Sequence, residues 1–285
     1  WVQRETVEPA AERPEPKKPT KSADASPAVT RFLLIAFVVS GFTAFSYQIL
    51  YSRILTFILG NRVFASSAML TTFILGIALG SLVMARYLKN TRREPFIFAV
   101  TQIVIGITTF LTIVFYPQLL DIFRTMQAEL NLITHSQFIM LKFFQAAIIM
   151  FIPTVGFGII FPSIIQYLNR NLDNISVSIG KAYALNTLGS ITGILMTTFV
   201  IIPLLGAYRS MILISMISLL LGYRVLVPDW RTAARRRKWL SAGATLALVA
   251  ILATLGLTFQ NYPWPRDGKE LIFAHEDASS LVTVY

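Results

Sequence analysis

The chain has 285 residues, 55% of them hydrophobic, with a mean hydropathy of +0.64 and a net charge of +11. Soluble domains run at roughly 45–50% apolar, so an ordinary soluble protein is excluded, and the basic excess belongs to membrane topology and anionic headgroups rather than nucleic acid. Cysteine is absent, which removes disulfides, thiolate catalysis and Cys-ligated metals, and two isolated histidines, His135 and His275, make no metal site.

Residues 1–30 place Pro9, Pro14, Pro16, Pro19 and Pro27 among Glu, Lys, Ala and Ser. Such a segment buries no apolar surface and reads as a disordered, solvated tail. The apolar run behind it is too long for a signal peptide. Trp1 in place of Met reads as an internal position of a longer product.

A membrane helix needs about 20 mostly apolar residues. Seven stretches qualify, at 32–54, 66–88, 95–117, 137–168, 179–202, 208–227 and 239–259, giving an all-α bundle over 31–260. None of the fourteen Asp and Glu residues lies well inside a span, so the buried acids by which ion-driven carriers couple transport are not expected. The fourth stretch is long for one straight helix. Pro153, Gly156, Gly158 and Pro162 predict a kink or an unwound piece there.

With seven spans, and counting from Lys17 onward, sixteen Lys and Arg residues fall on one side and seven on the other. Arg235, Arg236, Arg237 and Lys238 fix the sixth connection inside. The N-terminus is therefore expected in the cytoplasm of a cell (inner) membrane protein, and residues from 261 onward outside. Residues 270–273 and 280–285 read as two short strands around His275, Glu276 and Asp277, a hairpin at the threshold of a soluble domain spanning 261–285. Two strands are not stable alone.

Polar and small residues inside the spans are the functional candidates. Gly76 and Gly80 in the second span, and Gly189 and Gly193 in the fifth, are small-xxx-small pairs that let helix backbones approach. Packing within the chain is the leading reading, and a homodimer interface the alternative. Tyr47 and Gln48 on the first span, and Tyr183 and Asn186 on the fifth, are uncharged groups suited to interhelical bonds or to lining a cavity. Arg53 and Lys142 lie near span ends, where long stems carry the charge to the interface.

Spans one to three and four to six echo each other: polar, then glycine-rich, then plainly apolar. Three-helix units repeated in series point in opposite directions, the inverted arrangement within half of a major facilitator transporter. The basic loop holding Arg86, Lys89, Arg92 and Arg93 loosely resembles the loop between the second and third helices of that family.

A closer resemblance follows from longer motifs. Ser40-Gly-Phe-Thr-Ala-Phe-Ser-Tyr-Gln-Ile-Leu-Tyr-Ser-Arg53 resembles the first helix of membrane-bound spermidine synthase-like proteins, and Phe73-Ile-Leu-Gly-Ile-Ala-Leu-Gly-Ser81 their second. Pro153 to Pro162 resembles their fourth span. Tyr183-Ala-Leu-Asn-Thr-Leu-Gly-Ser-Ile-Thr-Gly193, with Pro203-Leu-Leu-Gly206, resembles the fifth and is the most specific match. The resemblance implies a membrane module joined to an aminopropyltransferase- or methyltransferase-like domain that acts in polyamine biosynthesis. Glu276, Asp277 and residues 280–285 resemble that domain's opening hairpin.

The family's cofactor glycines and catalytic acids lie beyond that hairpin, so no catalytic, cofactor-binding or metal-ligating residue carries over. The chain alone is expected to be inert, with no cofactor of its own. Its expected partners are the lipid bilayer and a downstream soluble domain or partner protein. A small-molecule carrier, with polyamine as a candidate cargo, and a structural assembly partner are the alternatives.

Overall fold

The computed structural model describes residues 27–59, 63–87, 93–129, 135–171, 175–226, 273–276 and 281–284. The calls on residues 1–26, on the basic cluster at 235–238, on the seventh span at 239–259 and on the turn at 277–280 lie outside them. The described chain is almost entirely helical, as expected: α1 Pro27–Leu59, α2 Val63–Tyr87, α3 Glu94–Val114, α4 Tyr116–Glu129, α5 His135–Asn171, α6 Ile175–Met196 and α7 Ile202–Leu226. Five stretches among the described residues are long and apolar enough to cross a membrane: Val29–Thr56, Ser67–Tyr87, Glu94–Val114, Ser136–Arg170 and Ser176–Leu226. Two short strands, β1 Phe273–Glu276 and β2 Leu281–Val284, pair antiparallel with Phe273 opposite Val284.

One helix was hidden in the connection between the third and fourth spans. Leu119, Phe123 and Met126 recur at helical spacing on α4 and turn inward, with Phe123 fully buried, while Asp121, Thr125 and Glu129 face outward. Pro117 offers no amide proton to continue α3, so the chain turns at Phe115 and restarts. The Tyr116 hydroxyl ties this restart to α1 by donating to the Ile54 carbonyl at 3.1 Å.

No unwound piece occurs at Pro153 and Pro162, since α5 stays helical through both prolines. Its middle is held on two sides, Gly158 against the backbone of Ile77 on α2 and Gly156 against Ile105 on α3. Neighbouring helices of this kind are what make intramembrane proline tolerable.

The break falls instead at Gly206, where φ of 74° departs from the helix. Pro203 prepares it. The ring would press on the carbonyl four residues back, at Phe199, and the segment Thr197–Ile201 widens into a π turn there. Ser210 then donates its hydroxyl to the carbonyls of Gly206 and Ile201, satisfying groups that the break releases.

The principal helix contacts run in the order α2, α5, α3, α7, α1, α6. Exchanging α1 with α5, α2 with α6 and α3 with α7 reads that order backwards. Glycine positions follow the same exchange: 113 residues separate Gly76 from Gly189 (189 − 76) and Gly80 from Gly193 (193 − 80). A side chain added at Gly76 or Gly80 would strike Thr154 or Val155 of α5, and one at Gly189 or Gly193 would strike Val38 or Phe42 of α1. The small residues therefore bring α2 onto α5 and α6 onto α1 at backbone distance.

Candidate functional site: a polar core between three helices

Polar side chains are buried on α1, α3 and α7 among other helices. Tyr47 and Tyr51 stand one turn apart on α1, and both are fully buried. Tyr51 is hydrogen-bonded through its hydroxyl to Thr109 of α3 at 3.1 Å. The Tyr47 ring packs on Tyr51, with centroids 6.2 Å apart, and on Phe157 of α5 at 5.8 Å. Its hydroxyl feels Ser218 of α7 and Thr109 but meets hydrogen-bond geometry with neither.

Gln102 of α3 lies on the face that meets α7. Gly106 lies against Ser215 and Leu219, and Gly222 lies against Ala99 and Ile103. These pairs make α3 and α7 antiparallel and set Gln102 near the level of Leu221 and Ser218 near that of Ile105, each one turn from a contact glycine. Gln102 and Ser218 are fully buried, and neither the amide nor the hydroxyl has a hydrogen-bond partner among the described residues.

The sequence candidates divide around this core. Tyr47 is at its centre. Gln48, on the neighbouring face of α1, lines a crevice of about 150 Å³ with Ser52, Met69, Leu70, Phe73 and Met150. Asn186 sits against Gly41 of α1, so it belongs to the α1/α6 seam. Tyr183, three residues earlier, is turned outward at 61% exposure, with its ring edge-on to Phe161 at 5.8 Å. Tyr183 and Asn186 thus do not form one polar face.

Arg53 is partly exposed near the end of α1. Lys142 departs from expectation, since it is buried rather than extended to the interface, and its ammonium lies 4.4 Å above the Phe138 ring. One turn of chain away, the Gln145 amide reaches the Phe123 carbonyl of α4 at 3.5 Å.

Two features escaped sequence reading. Glu94 opens α3 inside a membrane-length stretch, is 4% exposed, and binds Arg170 at the end of α5 at 2.6 Å. The helix begins one residue before Pro95, so Glu94 stands at the very rim of the span rather than well inside it. Gln102 was passed over as one polar residue in an apolar run, although an amide at that depth demands partners.

No group of three His, Cys, Asp or Glu suited to a metal occurs among the described residues. What the core offers instead is uncharged donors and acceptors. No family model, curated protein or solved structure matches the chain.

Proposed function

We propose that the chain is the membrane module of a spermidine synthase-like protein, anchoring or serving a soluble aminopropyltransferase- or methyltransferase-like domain that follows β2. The observation that carries this reading is the succession of parts: a helical bundle closed by glycine contacts, followed in chain order by a pair of antiparallel strands. The strands are the opening hairpin of the soluble domain, and a bundle sealed at backbone distance is a rigid platform for it.

In this reading the bundle crosses the membrane seven times. The stretch Ser176–Leu226 has 51 residues, roughly 75 Å as a helix against a hydrocarbon core of about 30 Å. It therefore makes two crossings that turn at Gly206. The seventh, expected at 239–259, lies outside the described residues. The palindromic helix order is that of two inverted three-helix units, with the N-terminus in the cytoplasm of the inner membrane. The bilayer, the downstream domain and, through the outer helices, a second copy are its partners.

The test is functional. Purified chain should show no aminopropyl or methyl transfer above a detergent blank, and no uptake of labelled polyamine into proteoliposomes. Transfer by the isolated chain would overturn the module reading. Uptake abolished by Tyr47→Phe would replace it with the carrier.

A further inference from the structure

We propose that the crevice between α1, α2 and α5 holds one acyl chain of an ester lipid, with Gln48 and Ser52 donating hydrogen bonds to the ester carbonyl. The crevice measures about 150 Å³ and is lined by Gln48, Ser52, Met69, Leu70, Phe73 and Met150. Its floor is apolar, since Met69, Phe73 and Met150 are all buried. Its mouth is formed by Ser52 and Leu70, which are exposed on stretches of membrane length. The mouth therefore opens sideways onto lipid.

Depth and chemistry select the occupant. Ser52 lies four residues inside the end of the apolar stretch Val29–Thr56, about 6 Å below its edge at 1.5 Å per residue, and Gln48 lies one turn deeper. That is where the hydrocarbon core gives way to the polar interface, the level of a lipid's ester groups. Residues four apart share a helix face, so the two side chains meet one guest. Among the described residues the Ser52 carbonyl takes the Thr56 hydroxyl, while the side chains of Gln48 and Ser52 have no hydrogen bond. An amide N–H and a hydroxyl both donate, and an ester carbonyl accepts. None of the six lining residues is charged, which matches the neutral ester and not an ionic headgroup. An apolar cavity of this size takes a guest of about six carbons, the first part of an acyl chain. Met69 and Met150, unbranched and adaptable, suit a chain of changing shape. The site goes beyond the anchoring role, since spans alone anchor a bundle without binding a particular lipid.

Native mass spectrometry tests this on the full chain, delipidated in detergent and titrated with a diester phosphatidylcholine or its diether analogue. The diether keeps the headgroup and both chains but has no ester carbonyl. At equal lipid concentration the unmodified chain should retain a first diester molecule several-fold more than a first diether. The Gln48→Leu, Ser52→Ala double variant should retain the two lipids alike, at the diether level. Equal retention of both lipids by the unmodified chain overturns the proposal. A diester preference that survives the double variant overturns it too, since the carbonyl would then be bound elsewhere. The first comparison needs no substitution, so a double variant that fails to fold leaves it decisive.

Discussion

The glycine seams and the polar core answer one problem in opposite ways. In a bilayer a polar group must find its partner inside the protein. At the seams, α2 on α5 and α6 on α1, small residues let backbones touch, and a serine then reaches the carbonyl of a contact glycine. Ser81 donates to Gly158 at 2.9 Å, and Ser46 to Gly193 at 3.4 Å. In the interior of α1, α3 and α7 the polar atoms of Tyr47, Gln102 and Ser218 have no hydrogen-bond partner among the described residues. A seam is thus satisfied by its own backbone, while polar groups of the core are not all satisfied by the described residues.

The hardest way to break a seam is to fill it. Gly193→Leu and Gly80→Leu put branched side chains where Phe42 and Val155 present backbone, with no lipid-driven force to hold the helices together. Both variants should lose most of their folded yield, read as the monodisperse fraction recovered from detergent. Gly180→Leu is the control, because open space surrounds that glycine, and it should be recovered as the parent is. Normal yield for Gly193→Leu would mean that α6 does not rest on α1.

A charged contact gives the next largest effect. Glu94 is 4% exposed against 26% for Arg170, so removing the arginine strands a buried carboxylate. Losing one member of a buried pair costs about 3–5 kcal/mol, and Arg170→Ala should fall at the lower end because water reaches the arginine. Its thermal midpoint should drop clearly below that of the Glu94→Leu, Arg170→Met pair, in which no charge is left. Equal losses for the two would show that Glu94 finds another donor, and the α3/α5 rim would then resemble the self-sufficient seams.

The sequence carried these regions unequally. The spans were legible because membrane helices must be long and apolar, and the glycine pairs because their spacing repeats once per turn. The helix α4 carried its own signal in Leu119, Phe123 and Met126, but a search for twenty-residue apolar runs passes over a fourteen-residue amphipathic helix. Pro153 and Pro162 pointed to a kink or an unwound piece, and α5 shows no unwound piece where α2 and α3 pack on it, while the break at Gly206 needed a positive φ that only the folded chain displays. The core was least legible. Tyr47 stood out, but Gln102 and Ser218 are single polar residues in apolar runs, and their burial shows only in the folded chain.

The smallest effect sharpens the comparison within the seams. Interhelical hydrogen bonds in membranes contribute about 0.6 kcal/mol on average, so Ser81→Ala should lower stability by about that amount. Ser46→Ala should cost more, although its bond to Gly193 is the longer one. Ser46 is also the acceptor for the fully buried Thr197 hydroxyl at 2.8 Å, at the start of the π turn. Its removal leaves that hydroxyl without its acceptor, adding roughly 1–2 kcal/mol of desolvation to the lost bond. Adding Thr197→Val should then recover most of the extra loss. Chemical unfolding in mixed micelles, comparing Ser81→Ala, Ser46→Ala and the Ser46→Ala, Thr197→Val pair, reads the three values. If Ser46→Ala costs no more than Ser81→Ala, the Thr197 bond is idle and the two seams are energetically alike. If it costs more and valine does not restore it, Ser46 serves the π turn by a contact other than this bond.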